Sequence, residues 1–70
     1  MTQVVSVSSS LLTVVAYSTP ATLDLTFQNG AVYRYFGVPR LVFDQLTAAE
    51  SKGAYFNRAI RNRFPYRRVA

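Results

Sequence analysis

Asn29-Gly30 separates two runs of residues that read as β-strands, and it commits the centre of this chain to a hairpin. A two-residue type I′ turn needs positive φ at both central positions, and Asn-Gly meets that need with little strain. Before the pair, Thr22 to Phe27 sets Leu23, Leu25 and Phe27 on one side and Thr22, Asp24 and Thr26 on the other. After it, Ala31 to Val38 reads as the return strand. A two-residue turn fixes the register, placing Phe27 opposite Val32, Leu25 opposite Arg34, Asp24 opposite Tyr35 and Leu23 opposite Phe36. Val32 and Phe36 then belong to the core. Tyr33 and Tyr35 fall on the other face of the sheet, beside Thr26 and Asp24. Arg34 is the odd residue, charged and on the core side, as on an edge strand whose arginine packs its stem and keeps its head in water. The tyrosine face is open, covered by the chain itself, or covered by a second copy.

Leu11 to Tyr17 is β-branched, aromatic and free of Gly and Pro, the composition of a strand. Ser18-Thr19-Pro20-Ala21 is a turn, with Pro20 unable to donate to a ladder. With Tyr17 opposite Thr22, Leu12, Val14 and Ala16 join the core face; a one-residue shift in this loop sends Val15 and Tyr17 there instead. Val5 and Val7 alternate with Ser6 and Ser8 as a short N-terminal edge strand. Val38-Pro39 ends the sheet and starts a helix with Pro at the first helical position, its apolar stripe formed by Val42, Phe43, Leu46 and Ala49. Ser51 is a good cap, and Gly53 weakens a helix interior. A second helix runs from about Ala54 to Arg63 with Phe56, Ala59 and Ile60 inward, and Pro65 stops it. The expected fold is α+β: one domain over residues 1–70, a three- to four-stranded antiparallel meander packed by two short helices, with residues 65–70 as a basic C-terminal tail.

Composition narrows the function. The chain has no cysteine and no histidine, so it lacks a thiolate nucleophile, a disulfide and a neutral-pH proton shuttle. Its three acids, Asp24, Asp44 and Glu50, are scattered. The expectation is a protein that is not an enzyme and holds neither metal nor cofactor. The start, MTQVVSVSSS, lacks a signal peptide's basic region, and no apolar run is long enough to cross a bilayer. The expected location is the cytoplasm, that of the host if the protein is viral. Charge is uneven within the net +5: residues 51–70 carry Lys52, Arg58, Arg61, Arg63, Arg67 and Arg68 and no acid. A basic end on a nearly neutral body points to an anionic partner or to a solvated, solubilising face.

A family pattern runs through these elements. Ser9-Ser10, Leu12, Tyr17, Leu23, Leu25, Phe27 and Gly30 precede Tyr33-Arg34-Tyr35 and Val38-Pro39. Ser51-Lys52-Gly53, Tyr55-Phe56-Asn57-Arg58, Ile60-Arg61 and Phe64-Pro65-Tyr66 follow. In that order the chain resembles the KTSC domain, a module named for its occurrence at the C-terminus of some lysyl-tRNA synthetases and also found free-standing in bacteria and their viruses. YxYxxVP followed by SKGxYFNRxIR is the specific part, and the likeness covers nearly the whole chain. The resemblance implies a free-standing member of the family. Through the synthetase fusion it suggests RNA as a partner.

The candidate site residues follow from both readings. Tyr33 and Tyr35 on a sheet face make a stacking surface for single-stranded bases; alternatively they cover that face and bond Asp24. Lys52, Arg58 and Arg61, near the start and along one side of the second helix, are candidate phosphate contacts, or they are solvated. Arg67 and Arg68 add non-specific phosphate attraction, or belong to a flexible terminus. The leading expectation is a small accessory module that binds RNA or another nucleic acid. Its rivals are a protein-interaction module, such as a viral adaptor or inhibitor of a host protein, and a binder of a small anionic nucleotide-like ligand. A homodimer through the Tyr33/Tyr35 face is a further expectation.

Overall fold

The structure, a computed structural model, describes every residue from Met1 to Ala70. Five strands form one antiparallel meander in chain order: β1 (Thr2–Ser6), β2 (Leu12–Ser18), β3 (Thr22–Phe27), β4 (Val32–Phe36) and β5 (Tyr66–Arg68). Two helices, α1 (Arg40–Ala48) and α2 (Lys52–Ala59), lie between β4 and β5 in the chain. The α+β class agrees with expectation, and the sheet has one strand more than the largest number expected. That strand is β5: residues expected as a tail pair with β4, Tyr66 opposite Tyr35, Arg67 opposite Arg34 and Arg68 opposite Tyr33. Arg34 therefore lies on an inner strand, not on an edge.

The central hairpin differs from the expected register by one residue. Phe27 N–H donates to the Ala31 carbonyl at 2.9 Å, and Gly30 N–H donates to the Phe27 carbonyl at 2.9 Å. The loop is therefore Gln28-Asn29-Gly30, with Gly30 at φ 90°. This is a turn closed by a left-handed glycine, the usual form of a three-residue hairpin. Asn29 Oδ1 secures it by accepting the Ala31 N–H at 3.0 Å. The pairs become Leu23 with Tyr35, Asp24 with Arg34 and Leu25 with Tyr33. A slip of one residue turns every side chain of a strand over, so Tyr33 and Tyr35 face the helices while Val32, Arg34 and Phe36 face away.

The energetic reason is visible at Arg34. In the observed register its Nε and Nη2 donate to Asp24 Oδ1 and Oδ2 at 2.9 and 3.1 Å, a two-point pair on the uncovered face. In the expected register the guanidinium would face the core opposite Leu25, and an unpaired buried charge costs several kcal/mol. Tyrosine suits the inner side better, since it carries a large apolar ring and one polar tip.

A similar one-residue difference occurs at the first turn. Ser18 pairs with Thr22 across Thr19-Pro20-Ala21, so Val15 and Tyr17 reach the core in place of Val14 and Ala16. An irregularity between Leu12 and Val14 lets Leu12 and Val15, three residues apart, share the core face.

The core joins Leu12, Val15, Tyr17, Leu23, Leu25 and Tyr35 of the sheet to Val38, Phe43, Leu46, Tyr55, Phe56 and Ile60. Tyr17 stacks on Phe43 at 5.5 Å between ring centres. The Tyr17 hydroxyl lies 2.7 Å from the Val38 carbonyl and 2.9 Å from that of Pro20, tying β2 to the chain entering α1. Pro39 caps α1 rather than occupying its first turn. Ser51 caps α2, its Oγ accepting the Ala54 N–H at 3.2 Å. The helix begins at Lys52, so Gly53 sits in its first turn, close to Leu11. At the far end the Phe56 carbonyl accepts both Ile60 and Arg61 N–H groups, at 3.0 and 2.9 Å. Asn62 then adopts φ 60°, a conformation that asparagine tolerates better than most residues. That reversal ends α2 before the expected Arg63 and sends the chain back to the sheet as β5. No helix is long and apolar enough to cross a membrane.

Candidate functional site

The inward turn of β4 assembles an aromatic ring of rings. Phe27 lies 5.6 Å from Tyr33, Tyr33 5.7 Å from Tyr66, Tyr66 5.4 Å from Tyr35, Tyr35 6.0 Å from Phe56, and Phe56 5.5 Å from Phe27. All five separations are those of favourable edge-to-face or tilted aromatic pairs. Each ring comes from a different local cause. Phe27 ends the alternating strand β3. Tyr33 and Tyr35 alternate on β4, Tyr66 lies across from Tyr35 on β5, and Phe56 descends from α2. Together they line a pocket of about 330 Å³, whose other walls are Asn29, Arg61 and Asn62. The pocket is concave and largely aromatic with a few polar groups, the usual make-up of a small-ligand site.

Its electrostatics are one-sided. Asp24 pairs with Arg34, Asp44 pairs with Arg40, and Glu50 lines other hollows. No carboxylate lines the aromatic pocket, and Arg61 has no ion-pair partner. Burial pushes the Tyr35 phenol up to about 12; Tyr66 and Tyr33 act in the same direction, and the nearby Arg61 charge opposes them. Tyr35 therefore enters the pocket as a neutral phenol at physiological pH. Aromatic cages alone favour cations, but a guanidinium in the wall repels one. The pocket suits a planar or electron-rich group that stacks and accepts hydrogen bonds.

The candidate residues separate into groups. Tyr33, Tyr35 and Arg61 converge on this pocket. Arg68 stands opposite Tyr33 on β5 and donates through Nε to the Ala70 carbonyl at 2.9 Å. Arg67 lies opposite Arg34, on the other face of the sheet. Lys52 is turned to structural use, its Nζ donating to the Ala49 carbonyl at 2.9 Å just past α1. The Arg58 guanidinium rests over the Tyr55 ring at 5.3 Å, beside a separate groove between the helices. A flat, open tyrosine surface is absent: Tyr35 is only 4% exposed. Much of the Tyr33/Tyr35 face is covered by the chain's own helices, and the part left open is the mouth of this pocket. Phe27, Phe56, Tyr66, Asn29 and Asn62 line the pocket without having been candidates. One sequence signal pointed to them, the opposite charges of Asp24 and Arg34, which pair across the hairpin only if the tyrosines face inward.

Comparison with known proteins places this geometry in context. The sequence profile of the KTSC domain matches residues 8–64. A lysine–tRNA ligase from Trichormus variabilis is 43% identical over 53 residues, which is 76% of this chain and 9% of that protein. The chain thus spans less than a tenth of the length of that ligase. A protein from Tsukamurella paurometabola is 50% identical over 42 residues, covering 60% of this chain and 63% of its own length. Among solved structures, a KTSC domain protein from Yersinia pestis superposes with a TM-score of 0.93 at 30% identity, covering 100% of both chains.

Proposed function

The chain belongs to the KTSC domain family, and we propose that it is a small binding module for single-stranded RNA that receives one unstacked base in its aromatic pocket. The observation that carries this reading is the circuit of five rings with Arg61 in its wall. Aromatic side chains stack on bases at about 1–3 kcal/mol per base. Sequence-specific RNA recognition commonly takes splayed bases into such surroundings. The net charge of +5 favours a polyanion, and a related segment occurs in an enzyme named for tRNA. On this reading Arg61 and Arg68 serve the nucleic acid beside the tyrosines, while Lys52, Arg58 and Arg67 contribute only long-range attraction.

Anisotropy of a labelled single-stranded RNA, titrated with protein at increasing salt, tests the proposal. Affinity should fall with salt, with a logarithmic slope of about −1.4 if two phosphates are neutralised. Tyr66→Ala is a mild probe of the pocket, since Tyr66 is 55% exposed on the last strand. It and Arg61→Ala should each weaken binding about tenfold or more, whereas Arg58→Ala should change it less than twofold, circular dichroism confirming the fold throughout. No binding at low salt, or equal losses at Arg58 and Arg61, would overturn the reading.

A further inference from the structure

The polar lining of the aromatic pocket is rich in donors. Arg61 brings a planar guanidinium with five N–H groups and has no carboxylate partner. Asn29 commits one lone pair of its Oδ1 to the Ala31 N–H at 3.0 Å, and its amino group adds two N–H donors. No acid lines the pocket. The one charged group of the lining, Arg61, calls for acceptors on the ligand, and a guanidinium fork is best matched by two acceptors side by side on one edge.

Guanine offers this on its N7 edge, where no other RNA base has two acceptors; cytosine's adjacent O2 and N3 lie on the Watson–Crick edge of a smaller ring. Guanine's O6 and N7 are adjacent acceptors spaced for a two-point bond with arginine. Adenine sets its N6 donor beside N7, cytosine presents its N4 donor, and uracil shows O4 alone on that edge. Guanine is also a purine, with more ring surface to stack than a pyrimidine. Asn62, in its left-handed turn, adds a carboxamide to the rim, able to accept as well as donate. It suits the donors on guanine's remaining edge.

We propose that the pocket selects guanine, with Arg61 holding O6 and N7 and the purine resting among the rings of Tyr33, Tyr35 and Tyr66. The inference rests on the RNA reading above for its polymer. A free guanine nucleotide presents the same chemistry, so the test carries an arm for each source. In this arrangement Arg61 reads the base, and Arg68, opposite Tyr33 on β5, meets the phosphate.

The test compares short uridine RNAs that differ only in a central G, A, C or U, with free GMP, AMP and inorganic phosphate as competitors. The central-G oligomer should bind about tenfold tighter than the other three, a discrimination expected of one two-point contact. Arg61→Lys keeps the charge and loses the fork; it should erase the preference while leaving the salt dependence unchanged. GMP should compete better than AMP, and phosphate should not compete. Equal affinity for all four oligomers would overturn guanine selection and leave RNA binding standing. GMP binding without affinity for any oligomer would overturn the RNA reading and leave guanine selection standing. Phosphate competing as well as GMP would reduce the site to a simple anion site and overturn the inference.

Discussion

Tyr35 shows how much one side chain depends on the strand that carries it. It was visible in the sequence as half of a YxY motif but not as a buried residue, because both sides of that strand carry aromatic residues. Its inward placement has a measurable signature. The phenol titrates at about 12 in the folded chain and at about 10 in an unfolded one. Between those values the native state keeps a proton that the unfolded state has released. The stabilisation is complete below pH 10 and is lost as pH rises toward 12. Urea melts across the alkaline range should show wild-type stability falling more steeply than that of Tyr35→Phe, which has no proton to lose. Parallel curves for the two proteins would contradict the burial.

At the scale of elements, alternation located β2, β3 and β4, and apolar spacing with Pro39 and Ser51 located both helices. These signals are local, so they survive without tertiary knowledge. Loop length is different. Asn-Gly serves as both central residues of a two-residue turn or as the end of a three-residue loop, and the dipeptide itself does not distinguish them. The decision is made across the strands, where the observed pairing brings Arg34 to Asp24 and spares the core a charge. The C-terminal strand was hidden for a related reason: three residues in β5, all exposed, have no pattern to read, and only the turn at Asn62 returns them to β4. That turn can be tested directly. Asn62→Gly should be neutral or slightly stabilising in thermal melts, because glycine enters the left-handed region freely. Asn62→Val should cost on the order of 2 kcal/mol, since a β-branched residue resists it. Equal stability of the two variants would show that the turn tolerates any residue.

Over the whole molecule, one sheet face is roofed by α1 and α2 and the other is open. The aromatic pocket sits at the corner where β4, β5 and the end of α2 meet. No residue of β5 is among the buried residues, so the strand closes the pocket without building the core. A chain ending at Pro65 should therefore keep its cooperative fold with a lower melting temperature. It should also lose most of its RNA affinity, because the Tyr66 ring and Arg68 go together. Undiminished affinity in that truncation would place binding elsewhere on the molecule. The same division explains what the sequence concealed about the site. Its walls come from five segments spread along the chain from Phe27 to Tyr66.

The hairpin loop Gln28-Asn29-Gly30 has a consequence for how such a protein can change over generations. Surface loops ordinarily absorb insertions and deletions. Here, losing the single codon for Gln28 would leave Asn-Gly as a favourable two-residue turn with Phe27 still opposite Ala31, and the faces of β4 would stay as they are. Losing the codon for Ala31, one step beyond the loop, would set Val32 opposite Phe27, and the strand would emerge rotated by half a turn, arginine inward and both tyrosines outward. The reading frame of the strand is thus kept at its first paired residue, while the loop before it is open to changes of length.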